Sequence, residues 1–579
     1  MRTLTSQPAW QRFATWFSLF AIVACLVGCP SKSTEEVNST SRDQVEISES
    51  QAAIRFVDRT PGSGLDRAFE DGQMAQIFSI VESLGGGISA IDFDNDGQLD
   101  LVAAGGGCYP TPKSIAGVNG ALYRAGAWSD DSAWKFSEVA ASGRVDLSEY
   151  YHHCILVADF NNDGFEDFLT PGFGGFLLHE NLGDGTFHEI ASRSGLIDSR
   201  WNTNGAWGDF NNDGNLDLYI CRYADWSFEN NPACVTPSGQ RDVCGPRDFK
   251  ALDDSLYLSD GTGKFVDATA DWNLVSGGRG LGVLAADLDL DGDTDLYVAN
   301  DEQPNFLFRN EDSNTLKEMG IRAGAGLDES GGPDGSMGIG VGDYDGDSQL
   351  DLFITHYESE TCALYRNSGN LNFTHASRRA NITSMGNSFV AWGTAFNDLD
   401  LDGDEDILVV NGHAVRHSSG SPIKQLPVLM TNQSDATFQS ADAPGEFFNQ
   451  PRNARGLVTA DFDQDGRVDF VTTAMNEAPV LQQNLSKTKG AYLEIQLVGR
   501  TCNRNAIGAT VAVFHNGESQ IRSVYGGGSY ASTWDRICHF GLKPGIDRVE
   551  IVVSWPGGDQ KEIKAVDVNQ KLLVVQPTS

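Results

Sequence analysis

Positive charge is scarce in this chain. It carries 41 Lys and Arg against 80 Asp and Glu in 579 residues, a formal net charge of −39. That excludes a nucleic-acid partner, because phosphate binding needs a basic face. Long apolar runs are missing beyond the first thirty residues, which argues against a helical core. No HExxH, GxSxG or P-loop occurs, so no protease, hydrolase or nucleotide signature is present. Histidines are few, at 10. His413 and His417 are four apart but lie in a Gly/Ser-rich loop, where helical ligand spacing does not apply. His152-His153-Cys154 reads as a strand end with a buried thiol. The acids are too numerous for one pair to stand out as acid and base.

Those acids are instead in register. The stretch DFDNDGQLD begins at Asp92, and six relatives follow at Asp159, Asp209, Asp287, Asp343, Asp398 and Asp461. Each places a short oxygen-bearing side chain at positions 1, 3, 5 and 9. The candidate ligands are Asp92, Asp94, Asp96 and Asp100; Asp159, Asn161, Asp163 and Asp167; Asp209, Asn211, Asp213 and Asp217; Asp287, Asp289, Asp291 and Asp295; Asp343, Asp345, Asp347 and Asp351; Asp398, Asp400, Asp402 and Asp406; and Asp461, Asp463, Asp465 and Asp469. Clustered carboxylates and amides on a tight turn suit a hard cation such as calcium. Gly sits at position 6 in every copy but the fifth, which has Ser348. An EF-hand is excluded. Position 12 is Ala103, Thr170, Ile220, Val298, Ile354, Val409 and Thr472, none of which ligates through a carboxylate, and all lie in strand-like runs.

Around each motif the order is constant: an apolar strand, the loop, a second strand, a third ending near Asn or Asp (Asn181, Asp260, Asn310, Asn367, Asn432, Asn484), and a fourth opening on a bulky apolar residue. Gly-rich turns (64 Gly) and 10% aromatics fit many short strands. Four strands per repeat predicts an all-β, seven-bladed β-propeller over residues 52–485 with a small C-terminal β domain over 486–579. The seventh repeat lacks a fourth strand, and an orphan, Ile54-Arg55-Phe56-Val57-Asp58, precedes the first. It matches GKFVDAT (263–269) and is expected to complete blade seven, removing the ring's open edges.

Residues 1–28 read as an export signal, with Arg2 and Arg12 ahead of a short apolar stretch. Leu26-Val27-Gly28-Cys29 resembles a bacterial lipobox, which implies lipidation at Cys29 and a membrane-anchored, periplasmic or cell-surface protein. Residues 29–51 are polar and aperiodic, a tether without fixed structure. Of the remaining cysteines, Cys234 with Cys244 and Cys502 with Cys538 are the expected disulfides. Pairing of Cys108, Cys154, Cys221 and Cys362 stays open.

The DxDxDG units resemble the FG-GAP/VCBS repeats of integrin-α-type propellers, whose loops bind calcium. Asn503-Arg504-Asn505-Ala506-Ile507-Gly508-Ala509, GGGSY (526–530), His539-Phe540-Gly541-Leu542 and Trp555-Pro556-Gly557-Gly558 resemble an ASPIC/UnbV domain, which follows such repeats in the cartilage acidic protein family. The resemblance implies architecture and export and no reaction. The GGGSY glycines suggest an anion-binding turn.

Propeller topology puts all seven motifs on one face and the long insertions, above all 222–255, on the other. The expected function is an exported calcium-binding adhesion module, with structural calcium. It would bind a protein or glycan through the face opposite the ions, with Trp201, Trp226, His152, His356, Tyr357 and His413 on that surface. A propeller-type polysaccharide lyase or hydrolase is the alternative.

Overall fold

The computed structural model describes residues 54–126, 134–311, 315–442 and 444–578. The signal, the tether and Cys29 lie outside the described residues. Among these residues no helix is long and apolar enough to cross a membrane.

Every motif closes a hairpin between the first two strands of an antiparallel blade of four strands; in blade two the first strand is broken into Tyr151–His152 and Leu156–Ala158, and blade four gains a fifth strand from the C-terminal part. Blade five is typical: Ser336–Gly342, Asp351–His356, Ala363–Asn367 and Phe373–His375, paired in sequence order. The fourth strand of each of the first six blades opens on a buried anchor: Phe136, Phe187, Phe265, Leu316, Phe373 or Phe438. The first strands are neighbours around a closed ring. Ile88–Ile91 lies beside Leu156–Ala158, followed by Asn202–Gly208, Gly280–Ala286, Ser336–Gly342, Ala391–Asn397 and Ala454–Ala460, which returns to Ile88–Ile91. These strands converge on the axis, and glycines let neighbouring strands pass closely there. A Cβ on Gly338 would meet the Trp392 carbonyl at 2.1 Å, and one on Gly282 the Met337 carbonyl at 2.3 Å.

The ring closes as its sequence predicts. Phe56–Asp58 pairs antiparallel with Gln482–Asn484 as the outer strand of blade seven. Phe56 is buried, with its ring 4.9 Å from Phe470 and 5.9 Å from Phe448.

The C-terminal part builds two sheets. One joins Cys538–Leu542, Ala491–Val498 and Gln570–Val575, the last two parallel. The other joins Glu518–Ser523, Thr510–His515, Arg548–Ser554 and Gln560–Asp567. Cys234 and Cys244 form a disulfide. The expected Cys502–Cys538 bond does not form, and both thiols are free and buried. Cys538 pairs with Ile495 in mid-strand, whereas Cys502 lies beside Gly499, beyond the end of that strand. Four residues of strand span about 13 Å, and a disulfide needs Cα atoms within about 7 Å. Cys108, Cys154, Cys221 and Cys362 are also free thiols.

The C-terminal part also threads the ring. Gly526–Gly527 adds a short strand to the first strand of blade four. Ser529 exchanges backbone hydrogen bonds with Ile339 of blade five, and its hydroxyl donates to the Leu457 carbonyl of blade seven at 3.0 Å. The Ala531 carbonyl accepts from Ile155 of blade two, and the Ser532 hydroxyl from Ile88 of blade one. Tyr530 packs edge-on against Trp392 of blade six at 4.6 Å. Gly526 passes the Trp207 carbonyl of blade three so closely that a Cβ would sit 1.7 Å from it. The segment from Gly526 to Ser532 therefore makes an axial plug touching all seven blades, and its glycines serve close backbone packing and not an anion-binding turn.

Candidate metal centres

Each motif loop has one backbone form. Position 6 is left-handed in all seven copies, a conformation that favours Gly. The fifth loop has Ser348 there at φ 62° and carries its glycine at position 4, Gly346, so the turn is preserved. The position-1 carboxylate accepts the N–H groups of positions 5 and 6, as in Asp343 with Asp347 at 3.0 Å and Ser348 at 2.9 Å. The Asp92/Asp94/Asp96, Asp287/Asp289/Asp291 and Asp343/Asp345/Asp347 triads each bring carboxylate oxygens within 4.8 Å of one another.

Position 9 plays a different part. Its carboxylate is buried behind the cluster. One oxygen accepts the position-2 N–H, and the other accepts an N–H at the end of the third strand: in blade five, Asp351 with Tyr344 at 3.2 Å and Asn367 at 2.7 Å. Burial, with the loop carboxylates adding to it, pushes Asp100 and Asp217 up to about 8 against the pull of these amides.

Position 3 supplies the fit test for a hard cation. Oδ1 of Asp94, Asp289, Asp345, Asp400 and Asp463 is buried and has no hydrogen-bond partner. A buried carboxylate oxygen without a donor is costly, and a cation ligated there would satisfy it. In blades two and three Asn161 and Asn211 take this position, and their amides turn back onto Asp163 and Asp213. The residues present fit calcium at the oxygens of positions 1, 3 and 5.

The third-strand asparagines prove to be more than register marks. Asn367 Nδ2 donates to the Leu288 carbonyl of the preceding blade at 2.9 Å and to the Leu350 carbonyl of its own at 3.1 Å. Asn181, Asn310, Asn432 and Asn484 do the same. In blade three the equivalent residue is Ser259, whose N–H reaches Asp217, and not Asp260, which caps a surface turn at Thr262. Recurrence of Asn at one strand end was the available signal.

The motif face is not free. Asp159 N–H donates to Asn505 at 2.6 Å and Arg504 N–H to Asn162 at 2.7 Å. The Ser348 and Ser519 hydroxyls are 2.8 Å apart, Gln520 donates to the Gly403 carbonyl at 3.1 Å, and His539 Nε2 lies 2.9 Å from the Gly466 carbonyl. Arg536 pairs with Glu166, and Arg522 with Glu405 at 3.1 Å.

On the opposite face the insertion 222–255 packs onto neighbouring loops. Asn231 donates to the Ile77 carbonyl, and Asp242 accepts the N–H groups of Arg416 and His417. Trp201, Trp226, His152, His356 and His413 are buried there, so they brace the cap and do not display a surface. Trp201 donates to His153 at 2.9 Å, and Trp226 packs on Phe173 and Phe228. Burial lowers His152 and His356 to about 4, leaving both neutral. Only Tyr357 of the six is partly exposed. It lines a hollow of about 170 Å³ with Tyr223 and Trp392. A neighbouring polar hollow of about 350 Å³ holds Asp71, Glu82, Arg416, Lys424, Arg455 and Glu477.

Comparison with known proteins follows the same division. An FG-GAP-like repeat model matches residues 159–220, 287–354, 343–409 and 398–472, and an ASPIC and UnbV model matches 499–579. The chain carries FG-GAP-like repeats and a C-terminal ASPIC/UnbV domain. It is distantly similar to cartilage acidic protein 1 of Mus musculus, at 24% identity over 85% of this chain and 74% of that protein, and of Xenopus tropicalis, at 23% over 85% and 73%. Among solved structures, YCF48 bound to D1 peptide aligns with TM-score 0.38 and 10% identity over 74% of this chain and 94% of that one. A structure titled for recognition of non-reducing terminal N-acetylglucosamine by an Agrocybe aegerita lectin aligns with TM-score 0.36 and 14% identity over 63% and 82%. The FG-GAP-like loops are the Asp clusters, and the ASPIC/UnbV domain is the part that docks on them and plugs the ring.

Proposed function

We propose that this protein is an exported, calcium-stabilised binding module without catalytic chemistry. It is anchored through lipidated Cys29 and recognises a protein or glycan with the propeller face opposite its ions. The observation that carries the calcium reading is the set of buried, partnerless position-3 oxygens in five of the seven loops. Calcium would be held by Asp92, Asp94 and Asp96 and their counterparts and would supply charge neutralisation. The residues of the loops do the rest: position 1 organises the turn, and position 9 ties it to the third strand. What supports recognition on the other face is accessibility. The motif face is occupied by the ASPIC/UnbV domain, while the opposite face carries the two hollows.

A glycan and protein array probed with the calcium-loaded mature chain tests recognition. Binding that is lost on substituting Tyr357 or Lys424 supports it; binding confined to substitutions in the C-terminal sheets overturns it. Metabolic labelling with palmitate tests the anchor, with a Cys29→Ala chain expected to lose both label and membrane association.

A further inference from the structure

We propose that the third-strand residue immediately before the blade's asparagine position is a positioning residue for the position-3 ligand. Arg124, Arg309, Arg366 and Gln483 hold one carboxylate oxygen so that the other faces the cation. This rests on the calcium reading above and deepens it.

The contacts recur in four blades. Arg124 Nη2 lies 2.5 Å from Asp94 Oδ2, and Arg309 Nη2 lies 2.9 Å from Asp289 Oδ2. Arg366 pairs with Asp345 Oδ2 and also with Asp347. In blade seven Gln483 Nε2 donates to Asp463 Oδ2 at 2.5 Å, and Arg467 at loop position 7 pairs with Asp465. In all four blades the other oxygen, Oδ1, is buried without a partner; in blade four Arg309 holds Asp289 Oδ2 by charge alone, since that oxygen also lacks a hydrogen bond and the guanidinium donates to Asp291. One oxygen is held and its twin is left for a cation.

The remaining blades vary together with this device. Where position 3 is Asn, the third-strand residue offers no donor: it is Glu180 in blade two and Leu258 in blade three. Glu180 pairs with Arg193 instead. An amide can orient itself on its own loop, as Asn161 does on Asp163, and needs no external clamp. Blade six has Asp400 with Thr431, whose hydroxyl donates to the Gln439 carbonyl, so this loop has an acid without a clamp. A ligand fixed by an outer hydrogen bond loses less freedom on binding metal, and removing such partners costs about 10–100-fold in metal affinity.

Charge alone and positioning predict opposite signs. An arginine beside the site repels calcium, so its removal should tighten binding if charge were all that mattered. The test is calorimetric calcium titration of the full mature chain as wild type, as the triple Arg124→Met, Arg309→Met, Arg366→Met variant, and as the triple Arg→Gln variant that copies Gln483. The expected result is a 10–100-fold weakening at one site per arginine in the Met variant. The Gln variant should bind as tightly as wild type or more so. Calcium-free melting of each variant checks that the ring is intact before titration. Equal or tighter binding by the Met variant overturns the proposal, and so does equal weakening by Met and Gln. A wild-type chain that takes up no calcium removes the cation reading itself, and with it the clamp. Thr431→Gln is the converse experiment: it should strengthen the sixth loop, and an unchanged affinity counts against the clamp.

Discussion

At the scale of single residues, the aspartates and asparagines of the repeat divide the labour. Position 1 shapes the turn, position 3 offers a bare oxygen, and position 9 braces the blade. The strand-end asparagine ties neighbouring blades. Asn367→Ala would leave two buried carbonyls, on Leu288 and Leu350, without a donor, and is expected to cost about 1–3 kcal/mol in urea unfolding. Gln439→Ala, on the exposed side of a fourth strand, should stay within about 0.5 kcal/mol and serves as control. The thiols give a chemical check. Cys502 and Cys538 should be alkylated in denaturant without reductant, whereas Cys234 and Cys244 should require reduction first.

Among elements, the strand Phe56–Asp58 is the one that closes the ring. It satisfies the outer edge of blade seven and buries Phe56 between Phe448 and Phe470. Phe56→Ala should destabilise the ring by about 3–5 kcal/mol, in the range for buried aromatic truncation. Deleting 54–60 should abolish the cooperative melting transition, because the exposed edge of Glu477–Asn484 would be left unpaired. A truncated chain that melts like the full one would show that the ring does not depend on this closure. The insertion 222–255 behaves differently: its disulfide closes it on itself, Asp242 ties it to the Arg416–His417 loop of blade six, and it roofs the face instead of hanging from it.

For the whole molecule, the propeller and the ASPIC/UnbV domain pack into one compact unit. The plug from Gly526 to Thr533 bonds to first strands around the ring, and the domain's underside meets the motif loops. Gly526→Val should prevent insertion, splitting thermal unfolding into two steps and opening the 485–490 junction to protease. Calcium removal should act at the same place. Chelation would leave the carboxylates of the loops uncompensated beneath a docked domain. Asp461 already has its pKa raised by burial and by Glu494 facing it. The melting temperature is expected to fall by several degrees on chelation and to recover on adding calcium. An unchanged transition would rule out a stabilising cation.

The sequence by itself determined the repeat, the loop chemistry and the closure of the ring. These follow from local periodicity: seven copies of DxDxDG between β-type runs leave few other ways to pair, and the orphan strand at Phe56 supplies the missing edge. The Cys234–Cys244 bond was legible for the same reason, since ten residues of separation keep the two thiols together. Only the tertiary structure decided what meets what across the ring. Gly527 pairs with Leu284, Asn181 reaches the Phe93 carbonyl, and Arg504 meets Asn162. Such contacts join residues far apart in the chain and leave no periodic trace. They bury Trp201 and His356, which as isolated residues look like surface ligands, and keep Cys502 from Cys538. They also put the ASPIC/UnbV domain on the motif face, so that an Asp-rich loop that reads as an exposed hairpin becomes an internal joint of the folded chain.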